Sequence, residues 1–208
     1  MPSLSAHLVT DEAALNALYG AASETSLLKE AGHITSRYRA LIEVAPFAVL
    51  ATSGPGGLDC TPRGDAPGFV TVQDEQTLLL PDRRGNNRLD SLRNLLGDPR
   101  VALIFLIPGV GETLRVNGRA VISADPELCA RFVVNGKAPT TVLVITVETV
   151  FFQCAKAIIR SRLWDPDTRV PRASLPSAGA IMAEITDSRL NAAEIDAALP
   201  ARLAETLY

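Results

Sequence analysis

Short apolar runs separated by turn-forming residues dominate the chain between residues 47 and 153. Phe47–Thr52 ends in a Ser-Gly-Pro-Gly-Gly turn, and Thr77–Leu80 ends at a proline. The longest run, Thr141–Gln153, is rich in Val, Ile, Thr and Phe, which favour strands. Few segments with helical periodicity lie between these runs. Strands at this spacing, joined mainly by turns, predict an antiparallel barrel rather than a sheet of βαβ units.

Helical patterns flank the predicted strands on both sides and add two short segments between them. Six or seven strands are predicted, at Phe47–Thr52, Leu58–Arg63, Phe69–Val72, Thr77–Leu80, Val101–Ile107, Glu112–Ser123 and Thr141–Gln153. Helices are predicted within residues 11–31, at Thr35–Val44, Arg88–Leu96 and Pro126–Val133, after Cys154, and within residues 178–208. The chain is therefore expected to be mainly β with helices, an α+β protein.

Length and charge exclude several classes of protein. A chain of 208 residues can form one domain with a core and small appendages. The net charge of −3 argues against nucleic acid as a partner, because nucleic-acid-binding domains are usually basic. No run of about 18 apolar residues predicts a membrane span, so no membrane partner is expected. The N-terminus lacks the basic-then-apolar order of a signal peptide, so we expect a cytoplasmic location.

Cations are concentrated in residues 80–100 of this slightly acidic chain. Five arginines lie there: Arg83, Arg84, Arg88, Arg93 and Arg100. An apolar strand ends at Pro81, a loop of Arg, Gly and Asn follows, and a helical pattern then begins. Free N–H groups at a helix start and arginine side chains are typical ligands of a phosphate. The alternative is a solvated helix cap, in which the interspersed aspartates neutralise the arginines.

Motifs for other chemistries are incomplete. Gly109-Val110-Gly111 is followed by Leu114 where the dinucleotide fingerprint needs glycine, and Asn135-Gly136-Lys137 does not continue as a Walker loop. The two histidines, His7 and His33, precede the predicted strands. A histidine metal site or a Ser-His-Asp triad inside the barrel is therefore excluded, and no metal is expected. If the chain catalyses a reaction, a bound cofactor is therefore expected to supply the reactive group.

Two predicted strands have a polar face. Strand periodicity places Thr61 and Arg63 on one face, and it places Thr113 and Arg115 on the face opposite to Leu114. Thr61 and Arg63 could contact an anion or the edge of a ring, and the alternative for them is an exposed polar strand face. The strand that contains Thr113 and Arg115 is predicted to be half-buried with one polar side.

The segment after the last strand places the sole tryptophan near two cations. At helical spacing Lys156, Arg160 and Trp164 share one side. This arrangement either contributes to a ligand site or forms a simple cation–π cluster at the surface.

Taken in order, these segments resemble the pyridoxamine 5′-phosphate oxidase-like group of flavin-binding split barrels. The resemblance extends from about Tyr38 to Trp164. It is carried by Phe47–Thr52, Cys60–Asp65, Pro81–Arg88, Asn94–Leu95, Asp98–Val101, Arg115–Ala120 and Cys154–Ala157. The most similar members form an FMN-dependent subgroup, in which the arginine/asparagine loop and the Cys-Ala-Lys segment occur together.

The resemblance implies a six-stranded antiparallel split β-barrel with helices at both ends. It implies non-covalently bound FMN and a homodimer whose interface forms the flavin site. The chain then divides into a helical extension at residues 1–34, an FMN-binding barrel at residues 35–164, and a C-terminal loop with helices at residues 165–208. Small molecules, rather than nucleic acids or membranes, are the expected partners.

Site residues follow from the resemblance by position. The FMN phosphate or ribityl chain would be held by Arg63, Arg84, Asn87 and Arg88. The isoalloxazine ring or its tail would be faced by Thr61 and Thr113. The flavin would be approached, from the second subunit, by Lys156, Arg160 and Trp164. A cation at the N1–C2=O edge would stabilise the reduced flavin, and Lys156, Arg160 and Arg115 are the candidates.

The resemblance implies an FMN-dependent oxidoreductase that exchanges a hydride at flavin N5 with a small substrate. The alternatives are a non-catalytic flavin-binding or redox-sensing protein, and the same barrel holding a deazaflavin or haem. Pyridoxamine 5′-phosphate oxidases proper grip their substrate with an Arg-x-His near the C-terminus. Here no histidine follows His33, so oxidation of pyridoxine phosphates is not expected.

Overall fold

The computed structural model describes residues 7–208 and contains one antiparallel sheet surrounded by helices. The first six residues of the predicted N-terminal extension lie outside the described residues. The helices are α1 (Glu12–Tyr19), α2 (Glu24–Leu28), α3 (Ser36–Val44), α4 (Asp90–Gly97), α5 (Pro126–Ala130), α6 (Lys156–Ser161), α7 (Ala178–Ile185) and α8 (Ala192–Thr206). The strands are β1 (Phe47–Gly54), β2 (Gly57–Gly64), β3 (Thr71–Val72), β4 (Thr77–Asp82), β5 (Arg100–Leu106), β6 (Thr113–Ser123) and β7 (Thr141–Gln153).

The sheet has seven strands, so the prediction of six is wrong by one. Their order is β2-β1-β5-β6-β7-β4-β3, and every neighbouring pair is antiparallel. β3 is shorter than the strand predicted at Phe69–Val72, and its two residues pair with Leu79 and Leu78 of β4. A tight turn produces this pairing, because the Gln73 N–H donates to the Thr77 carbonyl at 2.9 Å and returns the chain onto itself.

Alternating strand residues form the core. In β1 the buried residues include Ala48 and Leu50, and in the neighbouring β5 they include Leu103 and Phe105. α3 covers this face with Ile42, which is fully buried. Burying a side chain of this size contributes about 1.5–3 kcal/mol, so the strand alternation and the apolar stripe of α3 together stabilise the barrel. None of the helices in residues 7–208 is long and apolar enough to cross a membrane.

A β-bulge interrupts the pairing of β6 with β7. Asn117 pairs with Thr149 and Gly118 pairs with Val147, so Glu148 is the extra residue of β7. Gly118 lies so close to β7 that a Cβ atom there would overlap the Thr146 carbonyl oxygen. Glycine at this position therefore permits the close approach of the two strands.

α4 packs directly against the end of β1. The Asn94 side chain is buried, and its Nδ2 donates to Thr52 Oγ1 at 3.2 Å. A Cβ atom on Gly54 would overlap this asparagine side chain. The absence of a side chain at Gly54 thus allows α4, and the loop that precedes it, to pack against the β1–β2 hairpin.

Candidate functional site

A cleft of about 970 Å³ lies beside β2 and the loop between β4 and α4. Its volume is within the range of about 300–1,000 Å³ that is usual for small-molecule sites. β2 and this loop form two of its walls, and residues 137–141, which lead into β7, form the third. The lining residues are Asp59–Thr61, Arg63, Asp82–Leu92, Lys137–Thr141 and Tyr208.

Five of the ten predicted site residues line this cleft. They are Thr61, Arg63, Arg84, Asn87 and Arg88. The alternation of β2 explains the first two, because Asp59, Thr61 and Arg63 are half-buried while the residues between them are exposed. The hairpin pairing of β1 with β2 thus presents a polar strand face to the arginine-rich loop.

Arg63, the cation that β2 contributes to the cleft, has unused hydrogen-bonding capacity. Arg63 Nη1 donates to Thr61 Oγ1 at 3.2 Å, and Nη2 lies 3.7 Å from Asp82 Oδ1. Arg63 Nε is buried and has no hydrogen-bond partner. Across the described residues, only one other buried side-chain atom shares this property, the hydroxyl oxygen of Thr141. Both residues line the cleft. Unpaired buried polar groups cost about 1–3 kcal/mol each, so a polar ligand that pairs with them would stabilise the site once the side chains that cover these two atoms move aside.

Asp82 supplies the negative charge nearest to Arg63. Burial raises the pKa of this carboxyl above its ordinary value, and the Arg63 guanidinium opposes that rise only in part. Asp82 pairs with Thr141 across β4 and β7. The inner end of the cleft therefore contains a guanidinium, a carboxyl and a hydroxyl on three different strands.

Arg83 fixes the beginning of the loop. Its Nε donates to Asp65 Oδ2 at 2.7 Å, and its Nη1 donates to the Phe132 carbonyl at 2.6 Å. Arg83 thus acts mainly as a structural residue, whereas its neighbour Arg84 is exposed. Within residues 7–208, Arg84 forms no ion pair or side-chain hydrogen bond, so its guanidinium is available to a ligand.

The helix predicted to begin at Arg88 begins at Asp90 instead. Both Asn87 and Leu89 have a φ of 58°, in the left-handed region, which ends any helical continuity before Asp90. This conformation is unfavourable for leucine, and such strain is often found at functional loops. Arg88 Nε donates to Asp90 Oδ2 at 2.8 Å, so this exposed arginine is already paired with the acidic residue of the first helical turn.

The residues of the third wall were not predicted from the sequence. Lys137, Pro139 and Thr141 line the cleft, as does Tyr208. They lie far along the chain from β2, and only the pairing of β7 with β4 brings Thr141 beside Asp82. No local motif marks these residues. The length and β-propensity of β7 predict the strand but not which strand it pairs with.

The other five predicted residues lie at the far end of β7. Thr113 pairs with Gln153, and the Arg115 guanidinium lies 5.4 Å from the centre of the Phe151 ring. The five are Thr113, Arg115, Lys156, Arg160 and Trp164. Because β7 has 13 residues and rises about 3.3 Å per residue, its two ends lie up to about 40 Å apart. Within one chain the structure therefore does not bring these residues to the cleft.

Trp164 is not part of the helix predicted for it. α6 ends at Ser161, because Arg162 adopts a left-handed φ of 51°. Trp164 instead turns back and donates from Nε1 to the Val110 carbonyl at 2.7 Å. The prediction that it shares a helix face with Lys156 and Arg160 is wrong. No cation lies over its ring within the described residues, so the cation–π alternative is not found either.

Solved structures with similar folds cover little more than half of the chain. HupZ from Group A Streptococcus is 18% identical, with 58% of this chain and 94% of that chain covered and a TM-score of 0.48. A Lactobacillus delbrueckii protein proposed to be a pyridoxamine 5′-phosphate oxidase is 21% identical, with coverage of 58% and 95% and a TM-score of 0.46. A Clostridium acetobutylicum protein related to general stress protein 26, of the pyridoxinephosphate oxidase family, is 15% identical, with coverage of 57% and 86% and a TM-score of 0.44.

The family assignment comes from the sequence match. No curated protein matches the chain. The family model described as pyridoxamine 5′-phosphate oxidase matches residues 34–154, which is more than half of the chain and includes every strand of the sheet. The predicted family is thereby confirmed: this chain belongs to the pyridoxamine 5′-phosphate oxidase family.

Proposed function

We propose that the chain is an FMN-dependent oxidoreductase that binds the FMN phosphate in the cleft beside β2. The observation that carries the proposal is the location of the two unpartnered buried atoms, Arg63 Nε and Thr141 Oγ1, on residues of the same arginine-rich cleft. A guanidinium N–H and a hydroxyl are suitable partners for phosphate oxygens. When bound, FMN supplies hydride exchange at N5, so no nucleophilic side chain is required.

The chain's own residues have distinct tasks in this proposal. Arg63 and Arg84 provide the positive charge, and the loop that contains Asn87 positions them. Arg88 contributes less, because its guanidinium is exposed and paired with Asp90.

A homodimer explains the separation of the two groups of predicted residues. Thr113, Arg115 and α6 lie up to about 40 Å along β7 from the cleft of their own chain. A second subunit related by a two-fold axis, the commonest symmetry of oligomers, would present its own copies of these residues to the flavin ring. Light scattering tests this point: twice the chain mass of 22.1 kDa is expected.

Binding and turnover measurements test the proposal. The purified protein, mixed with FMN and passed over a desalting column, is expected to retain the absorption spectrum of bound oxidised flavin. Riboflavin, which lacks the phosphate, is expected to bind about 10- to 100-fold more weakly. Failure to bind either flavin would refute the proposal. Assays with NADH and NADPH and a quinone or oxygen as acceptor then follow.

The alternative function is a flavin-binding or redox-sensing protein without turnover. It is favoured if FMN binds tightly and no nicotinamide donor reduces it faster than in free solution. Pyridoxamine 5′-phosphate is expected to be a poor substrate in either case, because no histidine follows His33. A substrate that is not held near the flavin loses the several kcal/mol that orientation contributes to catalysis.

A further inference from the structure

The end of the described chain forms part of the cleft wall. α8 is followed by Leu207, which is 66% exposed, and by Tyr208, which lines the cleft. Leu207 and Tyr208 are adjacent, but only the Tyr208 side chain lines the cleft. Substituting each of them in turn therefore shows what the Tyr208 side chain contributes to the cleft.

Tyr208 contacts three segments of the barrel, each through a different interaction. Its hydroxyl donates to Asp65 Oδ1 at 2.8 Å, and its ring lies 5.7 Å from the Arg83 guanidinium. Its carbonyl accepts a hydrogen bond of 2.7 Å from Lys137 Nζ. These partners lie after β2, after β4 and before β7. Tyr208 thus connects the segments that frame one side of the cleft.

The direction in which the pKa of each contact residue shifts agrees with this contact. Burial alone would raise the pKa of Asp65, but hydrogen bonds from the Ala66 N–H, Tyr208 and Arg83 together hold it below its usual range. The same hydrogen bond to Asp65 raises the pKa of the Tyr208 hydroxyl. At neutral pH the carboxylate and the phenol are therefore in the protonation states that the hydrogen bond requires.

Tyr208 also determines which cations a ligand can reach. Lys137 donates to the tail, and one side of the Arg83 guanidinium is covered by the phenol ring. Arg63 and Arg84 keep unused donors, as described above. One phosphate can be bound by those two residues. A second phosphate, as in a flavin dinucleotide, would need Lys137 or Arg83 and the space that Tyr208 occupies.

This argument rests on the proposed function. We propose that Tyr208 is a specificity-determining residue, a wall that limits the ligand of the cleft to a mononucleotide. Removing the ring opens this side and uncovers the Arg83 guanidinium for the second phosphate of FAD, whereas Lys137 keeps its bond to the main-chain oxygen of residue 208. The expected discrimination is steric and electrostatic, so it acts on binding and does not depend on turnover.

Isothermal titration calorimetry with FMN and with FAD tests the proposal. The wild-type protein is expected to bind FMN at least about tenfold more tightly than FAD. Tyr208→Ala is expected to reduce this ratio by about fivefold or more, mainly through tighter FAD binding. Tyr208→Phe keeps the ring over Arg83, so its ratio is expected to stay within about twofold of wild type. Leu207→Ala, one residue away and exposed, is the matched control and is expected to change nothing.

The outcomes separate this inference from the proposed function. Wild-type protein that binds no FMN would overturn both. Wild-type protein that binds FMN, together with a Tyr208→Ala ratio equal to that of Leu207→Ala, would overturn only the role of Tyr208. Tyr208→Ala and Tyr208→Phe both lose the hydrogen bond to Asp65, so a somewhat lower melting temperature is expected for both, whereas Leu207→Ala is expected to keep that of the wild type.

Discussion

Replacing Arg63 by methionine separates ligand binding from stability. Methionine fills similar space but donates no hydrogen bond. In the ligand-free protein the substitution removes the unpaired Nε, which relieves about 1–3 kcal/mol. It also removes the Nη1 bonds to Thr61 and to the Pro62 carbonyl, at about 0.5–1.5 kcal/mol each. These two effects offset each other, but the substitution also removes the cation paired with Asp82, so the free energy of unfolding at neutral pH is expected to fall by about 1–2 kcal/mol.

Binding of FMN is expected to respond more strongly. The variant loses a charge-assisted hydrogen bond to the phosphate, about 1.5–3 kcal/mol, which corresponds to about a 10- to 100-fold weaker affinity. Riboflavin affinity is expected to stay within about threefold, because that ligand has no phosphate. Flavin fluorescence quenching measures both affinities, and urea unfolding measures the stability.

Arg88→Met is the matched control for this experiment. From the sequence alone, Arg88 is expected to bind the phosphate as Arg63 does, but in the structure Arg88 is exposed and paired with Asp90. Such pairs contribute about 0–1 kcal/mol, so FMN affinity is expected to fall by less than about fivefold. Equal losses for FMN and riboflavin in Arg63→Met, or a larger FMN loss in Arg88→Met, would refute the assignment of Arg63 to the phosphate.

Three further predictions concern stability. The raised pKa of Asp82 means that the folded state retains a proton that the unfolded chain releases, so stability falls as pH rises from about 4 through the folded pKa. Asp82→Asn should remove this fall. Urea unfolding at about pH 4 and about pH 8 measures it, and the prediction is contradicted if the variant, compared with the wild type, is less stable at the higher pH than at the lower pH. Gly118→Ala should cost about 1–3 kcal/mol, whereas Gly56→Ala, which has open space, should cost much less in the same thermal melts. Trp164→Phe should cost about 0.5–1.5 kcal/mol by loss of the bond to the Val110 carbonyl, and an unchanged melting temperature would show that this bond contributes nothing.

The strands could be predicted from sequence because their signals are local. β7 was predicted with the bounds that the structure shows, since β-branched and aromatic residues make up most of this segment between a loop and a cysteine. Whether β3 forms a strand was harder to predict, because a strand of two residues depends on its partner β4 more than on its own sequence. The predicted helix starts and ends failed where single residues adopt left-handed conformations, at Leu89 and Arg162. Nothing in the composition of these residues signals a positive φ.

The candidate site was predictable only in part, for a related reason. Thr61, Arg63 and Arg84 lie in polar segments that stand out in the sequence, and the structure brings them together. Lys137 and Tyr208 reach the cleft through contacts with residues far away in the chain, the longest of which spans 143 positions to Asp65. Such contacts leave no periodic or motif signal. Only the three-dimensional structure reveals them.

The bulge at Glu148 makes β7 a strand with two phases. Before the bulge the inward residues have odd numbers, as in Ile145 and Val147, whereas beyond it Val150 points inward. A regular strand of the same 13 residues would turn Val150 outward, and α6 would then leave the sheet from the opposite face. Deleting Glu148 would instead remove the bulge and keep both Val147 and Val150 inward. The bulge therefore determines the side of the barrel on which α6 presents Lys156 and Arg160.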